Sequence, residues 1–449
     1  MPLVHNYRTL LQRLPTLAIN AKQMDILHSA QDFKQRLLEL IGAAQQRIYL
    51  VALYLQDDAA GREILTALYE AKQANPALDI RLFVDFHRAQ RGLIGHKGQG
   101  GNHKMYQEFA ERYAEPVNIY GVPVKGREVL GVLHLKGFVF DDTLLYSGAS
   151  LNDIYLHQQE RYRFDRYHQF NDAKLADAMV DYMTRLFIDN PAVPLLTAEP
   201  IPTSRQLRQV IRQFKQQMKR TQYQFTSSPR QSGQVAVTPL AGLGKLGNRL
   251  NRTIRTTVRS ARQQLFICTP YFNLPKPLAK DIRGLLKKGV EVTLVIGDKT
   301  ANDFYIPPEQ PFRTIGGLPY LYETNLRRFA RAHQTSIYQG KLNIMLWRHD
   351  RNSYHLKGLF VDDDLAIITG NNLNPRAWGL DLENGLLLQD PEQLLQPDFA
   401  AERTNILEHC QRIEHFSEIE EVADYPAPVQ RLLKRVQRTR ANVLLKRLL

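Results

Sequence analysis

The sequence predicts a duplicated α/β fold. Two homologous domains, each a mixed β-sheet flanked by helices, are expected to be related by a pseudo-twofold axis, with the active site at the seam. Two observations carry this. A chain of 449 residues is too long for one ordinary core. And the stretch VLHLKGFVFDDTLLYSGASLND (132–153) returns as YHLKGLFVDDDLAIITGNNLNP (354–375). His134, Lys136 and Asp141 meet counterparts in His355, Lys357 and Asp362 at one constant offset. That offset grows by a single residue after the aspartates, so that Gly148 and Asn152 meet Gly370 and Asn374.

The flanks correspond as well. RIYLVALYLQDD (47–58) resembles QLFICTPYFNLP (264–275), each an apolar strand with a tyrosine, Tyr54 or Tyr271, near its end. A helical pattern and a further strand follow both, in 64–87 and 278–299. Strand–helix–strand units repeated in this way read as a duplicated α/β domain. The expected division is a first domain at 1–199, a basic helical connection at 200–237, a second domain at 238–425, and a basic amphipathic C-terminal helix at 426–449.

Composition narrows the class. With 43% hydrophobic and 23% charged residues the chain is globular. No window approaches the ~18 consecutive apolar residues of a membrane-spanning helix, and MPLVHNYRTLLQRLPTL has no signal-peptide core. Cys268 and Cys410 cannot build a disulfide framework, and no Cys/His cluster has zinc-ligand spacing. A cytosolic protein with no metal or cofactor is expected. The formal charge of +14 calls for an anionic partner: nucleic acid, anionic lipid or a phosphorylated substrate.

In a strand, positions i and i+2 share a face, so each His-x-Lys pair should point one way. The following GFVF and GLFV read as buried central strands. An ammonium there is costly unless it meets an anion. Two such pairs brought together suit a phosphate. Imidazole serves as nucleophile in one copy and general acid in the other, while Lys136, Lys357, Asn152 and Asn374 hold the phosphoryl oxygens. Each histidine should have an orienting carboxylate. Glu383 is expected for His355, and Asp165, with Glu160 close behind, for His134. Asp141 and Asp362 are expected to organise the turn rather than meet substrate.

His-x-Lys-x4-Asp with a glycine turn and asparagine, present twice, resembles the phospholipase D superfamily. More narrowly, YSGASLNDIYLHQQERYRFDRYH, DKTANDFYIPPEQPF and LPYLYETNLRRF are similar to the phosphatidylserine synthases of Gram-negative bacteria. The resemblance implies attack of one histidine on CDP-diacylglycerol, loss of CMP, and transfer of the phosphatidyl group from histidine to L-serine. By analogy His134 is the nucleophile and His355 the acid/base. A phosphodiesterase, a nuclease or a cardiolipin synthase would use the same residues with another acceptor. Arg88 and Arg91 are candidates for the pyrophosphate, and Tyr54 and Tyr271 for the pocket wall.

Two segments concentrate the basic charge. RQLRQVIRQFKQQMKR (205–220) carries an apolar stripe of Leu207, Val210, Ile211, Phe214 and Met218. The tail 428–449 carries Arg431, Lys434, Arg435, Arg438, Arg440, Lys446 and Arg447 opposite Val429, Leu432, Leu433, Val436, Val443 and Leu444. Basic amphipathic helices of this kind suit an anionic membrane surface, which makes the expected location the inner face of the cytoplasmic membrane, held peripherally. Ribosome or nucleic-acid association would use the same charges.

Overall fold

The computed structural model describes residues 6–91 and 100–438. The chain divides into two compact units, and neither is continuous in sequence. One comprises Pro15–Leu250 with Gly379–Leu387, the other Met1–Leu14, Asn251–Trp378 and Leu388–Leu449. These cuts differ from the boundaries expected from the repeat. The segment up to Leu250 stays with the first motif, as does a short piece of the second repeat.

In the unit carrying the first motif, seven strands lie in the order Met24–Leu27, Tyr167–Asn171, Thr143–Ser147, Gly137–Phe140, Arg47–Val51, Asp79–Asp85, Asn118–Val122. Arg47–Val51 runs parallel to Asp79–Asp85, which runs parallel to Asn118–Val122. Gly137–Phe140 is antiparallel to Arg47–Val51, with Ile48 opposite Phe140 and Leu50 opposite Phe138. The sheet is therefore mixed, as expected. The helix Ala59–Ala74 starts at Asp58, whose carboxylate accepts from Gly61 N, and buries Ala60, Ile64, Leu65 and Leu68 at helical spacing.

The other unit repeats the plan. Gln264–Thr269, Glu291–Gly297 and Leu342–Trp347 are parallel neighbours, and Gly358–Val361 pairs antiparallel with Gln264–Thr269 and with Leu365–Thr369. The helix Lys276–Lys287 fills the place of Ala59–Ala74. The extra residue of the second repeat lies in the hairpin. The first hairpin turns through Asp141 and Asp142, the second through Asp362, Asp363 and Asp364. Arg8 bonds both Asp362 and Asp364.

The motif strands begin later than the sequence suggests. His134 and Lys136 precede the strand Gly137–Phe140, and His355 and Lys357 precede Gly358–Val361. The reason is the glycine between them. Gly137 has φ +126° and Gly358 φ +122°, a conformation side-chain-bearing residues rarely adopt. A Cβ on Gly137 would also sit 2.7 Å from Met179 Cε. The kink takes the His-x-Lys segment out of the ladder and leaves its backbone needing other partners.

Candidate active site

Those partners come from one tetrapeptide, Asp381-Leu382-Glu383-Asn384, and from Asp85. Val132 N donates to Asp381 Oδ1 at 3.0 Å, and Leu133 N to Asp85 Oδ2 at 2.9 Å. His134 N donates to Leu382 O at 2.9 Å, and Leu382 N to Val132 O at 3.0 Å. Asn384 grips Lys136 from both sides, its Oδ1 accepting from Lys136 N and its Nδ2 donating to Lys136 O, each at 2.8 Å. Tyr146 Oη and Tyr223 Oη hold the same amide at 3.1 and 2.9 Å. Buried backbone groups are thus satisfied off the ladder, and the histidine and lysine are fixed without belonging to a strand. Burial pushes the Asp85 carboxyl up to about 6, even though the N–H groups of Leu133 and Arg88 pull the other way.

His134 Nδ1 lies 2.9 Å from both oxygens of Glu383, a carboxylate only 1% exposed. This corrects the expected pairing, in which Glu383 served His355. Glu383 belongs to the second repeat in sequence, but Gly379–Leu387 packs in the unit of the first motif. With Nδ1–H donating to the carboxylate, neutral His134 presents Nε2 as a lone pair. In the second motif, Lys357 Nζ meets His355 Nδ1. Lys136 and Lys357 are each 1% exposed.

Of the two further carboxylates weighed from sequence, Asp165 is buried and Glu160 is exposed. An exposed, solvated carboxylate cannot fix a buried imidazole, so Glu160 drops out as a supporting residue. Asp141 accepts from the backbone N–H of Gln45, Gln46 and Arg47 at 2.8–2.9 Å. Asp362 does the same for Arg262, Gln263 and Gln264. Both aspartates sit at positive φ, 46° and 50°. They staple the hairpin turn to the start of the neighbouring strand. Asn152 Oδ1 accepts from Tyr155 N at 3.0 Å and Asn374 Oδ1 from Ala377 N at 2.9 Å.

Tyr271 stacks on Tyr322, with centroids 5.3 Å apart, and stands edge-on to His355 at 6.5 Å, so it adjoins the second motif's histidine. Tyr54 lies under the Arg88 guanidinium, 4.5 Å from Cζ to centroid. Arg91 is tied to Glu128, with Nη2 at 2.6 Å from Oε1. The stretch 87–103 is helical at its start within Phe86–Gln90, and the helix His103–Arg112 begins at its end. Residues 92–99 lie outside the described residues.

The basic helix Arg208–Arg220 buries Ile211, Phe214 and Met218, and Phe214 packs edge-on against Phe187 at 6.2 Å. Its apolar stripe is spent on the protein, which leaves only its charged face for an anionic surface. The helix Ala427–Arg438 likewise packs Val429 and Leu433 against Tyr320, Leu321 and Tyr425. Arg431, Lys434, Arg435 and Arg438 remain exposed, while Arg440, Lys446 and Arg447 lie outside the described residues. Among the described residues no helix is long and apolar enough to cross a membrane.

Sequence reasoning missed Asp381, Asn384 and Asp85. The available signal was the polar cluster DLEN opening the apolar strand Leu382–Gln389.

A carboxylate-held histidine and a buried lysine beside a mixed sheet, in a motif the chain carries twice, define a phospholipase D-like protein of phosphoryl-transfer type. A family model described as "Cardiolipin synthase, PLD-like domain" matches residues 254–409. The CDP-diacylglycerol–serine O-phosphatidyltransferase of Haemophilus influenzae is 47% identical over 443 residues, covering 98% of this chain and 97% of the relative. The corresponding enzyme of Escherichia coli K12 is 47% identical over 440 residues, with the same coverage. The crystal structure of phosphatidylserine synthase from Haemophilus influenzae superposes with a TM-score of 0.97 at 46% identity, over 100% of both chains. The chain belongs to the CDP-diacylglycerol–serine O-phosphatidyltransferase family.

Proposed function

We propose that this chain makes phosphatidylserine and CMP from CDP-diacylglycerol and L-serine by double displacement on histidine. The observation that carries the chemistry is the His134–Glu383 pair, which directs an imidazole lone pair outward from a buried, lysine-flanked position. Nε2 of His134 attacks the phosphorus bearing the diacylglycerol. The bond from that phosphorus to the CMP oxygen breaks, and His355 supplies the proton CMP takes away. The serine hydroxyl then attacks the same phosphorus and gives its proton to His355. The N–P bond breaks, releasing phosphatidylserine and restoring both histidines. Lys136 and Lys357, with the amides of Asn152 and Asn374, stabilise the charge on the equatorial oxygens. Asp165 stands in the supporting set, and Tyr54, Tyr271, Arg88 and Arg91 line the substrate.

The assay that tests this offers CDP-diacylglycerol with and without serine. CMP release should rise with serine and be matched by phosphatidylserine. CMP release ending in phosphatidic acid, whatever the serine supply, would mean that water is the natural acceptor.

The exposed face of Ala427–Arg438 supports peripheral attachment to an anionic bilayer at the cytoplasmic face of the membrane. Each basic residue near such a surface contributes ~1 kcal/mol. Reversing Arg431, Lys434, Arg435 and Arg438 to glutamate should therefore weaken flotation on phosphatidylglycerol-containing vesicles by at least ~100-fold. It leaves Val429 and Leu433 in place, so the fold is spared. Unchanged flotation would remove this helix from membrane attachment.

A further inference from the structure

Arg88 is 7% exposed and Asn102 2% exposed, and each keeps a donor that nothing among the described residues accepts. Among the described residues, Arg88 Nη1 and Asn102 Nδ2 are buried with no hydrogen-bond partner. Neighbouring atoms of both side chains are engaged. Arg88 Nη2 donates to Gln56 Oε1 at 3.2 Å, and its guanidinium covers Tyr54. Asn102 Oδ1 accepts from the next residue's backbone, Asp57 N, at 3.2 Å. Both side chains are thus fastened to the same turn, Gln56-Asp57. Native proteins rarely leave buried donors unmet, and a buried guanidinium short of an acceptor is among the costlier ways to do so.

The turn is anchored to the first motif on two sides. Leu151 N donates to Tyr54 O at 3.2 Å and Gln56 N to Leu151 O at 2.9 Å, next to Asn152. Asp85 accepts from Arg88 N at 2.9 Å through one oxygen and from Leu133 N through the other, next to His134. Burial, with Arg91 nearby, pulls the Arg88 pKa down, as expected of a cation without sufficient counter-charge.

We propose that Arg88 and Asn102 form an oxyanion subsite beside the first motif, completed by an anionic group of a substrate. The inference rests on the functional reading above, which offers two sources for that group: the phosphate that leaves in CMP and the carboxylate of serine. A planar guanidinium edge with an amide N–H beside it suits either one.

Two substitutions in the full chain test it. Asn102→Asp keeps the acceptor for Asp57 N and replaces the donor with a repelling oxygen. Arg88→Met keeps the bulk over Tyr54 and removes the charge. Calorimetric titration with CMP and with L-serine, each alone, should show one of them bound about 10- to 100-fold more weakly by both variants. Loss confined to CMP identifies the phosphate, and loss confined to serine the carboxylate. Unliganded Arg88→Met should melt at the parent's temperature or higher, because a purely structural arginine would be missed and an unmet one would not. Inorganic phosphate provides a readout independent of the reaction: it should raise the parent's melting temperature and lose that effect in both variants. If phosphate, CMP and serine all act on the variants as on the parent, the subsite is overturned. If phosphate discriminates but neither CMP nor serine binds the parent, the subsite stands and the functional reading fails.

Discussion

Replacing His134 by alanine is expected to abolish the covalent phosphatidyl-enzyme and to lower turnover by at least ~10⁴-fold. Replacing His355 should cost ~10²–10⁴-fold, the range for general acid–base help, and still leave adduct detectable. The two histidines stand in matched sequence, so the distinction rests on what holds them. Glu383 accepts a hydrogen bond from His134 Nδ1–H, which turns the nucleophilic lone pair of Nε2 outward and stabilises the cation that forms when it is phosphorylated. The measurement is mass spectrometry of the enzyme quenched in alkali after mixing with CDP-diacylglycerol, since acid hydrolyses a P–N bond. Adduct on residue 355 of the unaltered enzyme would reverse the roles. His134→Ala also deprives the buried Glu383 of a partner, which lowers stability as well as activity. The double variant His134→Ala/Glu383→Gln removes that charge and should melt closer to the parent while still forming no adduct.

The repeat was legible because its chemistry is packed into short, fixed spacings: His-x-Lys, then aspartate, then a glycine turn and asparagine. The alternation of apolar strand and amphipathic helix around it sufficed for the mixed α/β sheets, and Asp141 and Asp362 bond the backbone where the neighbouring strand starts. Where the reading failed, the missing information was tertiary. Glu383 was placed with His355 because it follows it in sequence, yet which unit a strand joins is decided by packing. The clamp on residues 132–136 by Asp85, Asp381 and Asn384 has no periodicity, since it joins side chains to a backbone far away in sequence. The helix Arg208–Arg220 shows a limit of another kind. An apolar stripe backed by arginines and lysines looks the same whether it faces lipid or Phe187. The start of the motif strand was misjudged for a local reason, because Gly137 and Gly358 occur in strands as well as in kinks and only their φ angles tell which.

Exchange of Glu383 for glutamine keeps the shape of the side chain and separates the two pairings most sharply. A neutral amide no longer stabilises the imidazolium. If its NH₂ turns to His134 Nδ1, it also forces the proton onto Nε2 and blocks the nucleophile. Loss of an orienting carboxylate in this way costs up to ~10⁴-fold in related histidine chemistry, so a fall of ~10²–10⁴-fold is expected in adduct formation. A substrate with an activated leaving group, such as a p-nitrophenyl phosphatidyl ester, decides through which histidine the loss acts. Its departure needs little protonation, so His355→Ala should regain most of its first-step rate with that ester. Glu383→Gln should not, because an attacking nitrogen that is protonated or misaligned stays deficient whatever group leaves. Burst release of nitrophenolate in the absence of serine reads this step directly. Recovery of Glu383→Gln to the level of His355→Ala would place the carboxylate's function on the acid rather than on the nucleophile, and would reduce the 2.9 Å contact with His134 to a structural one.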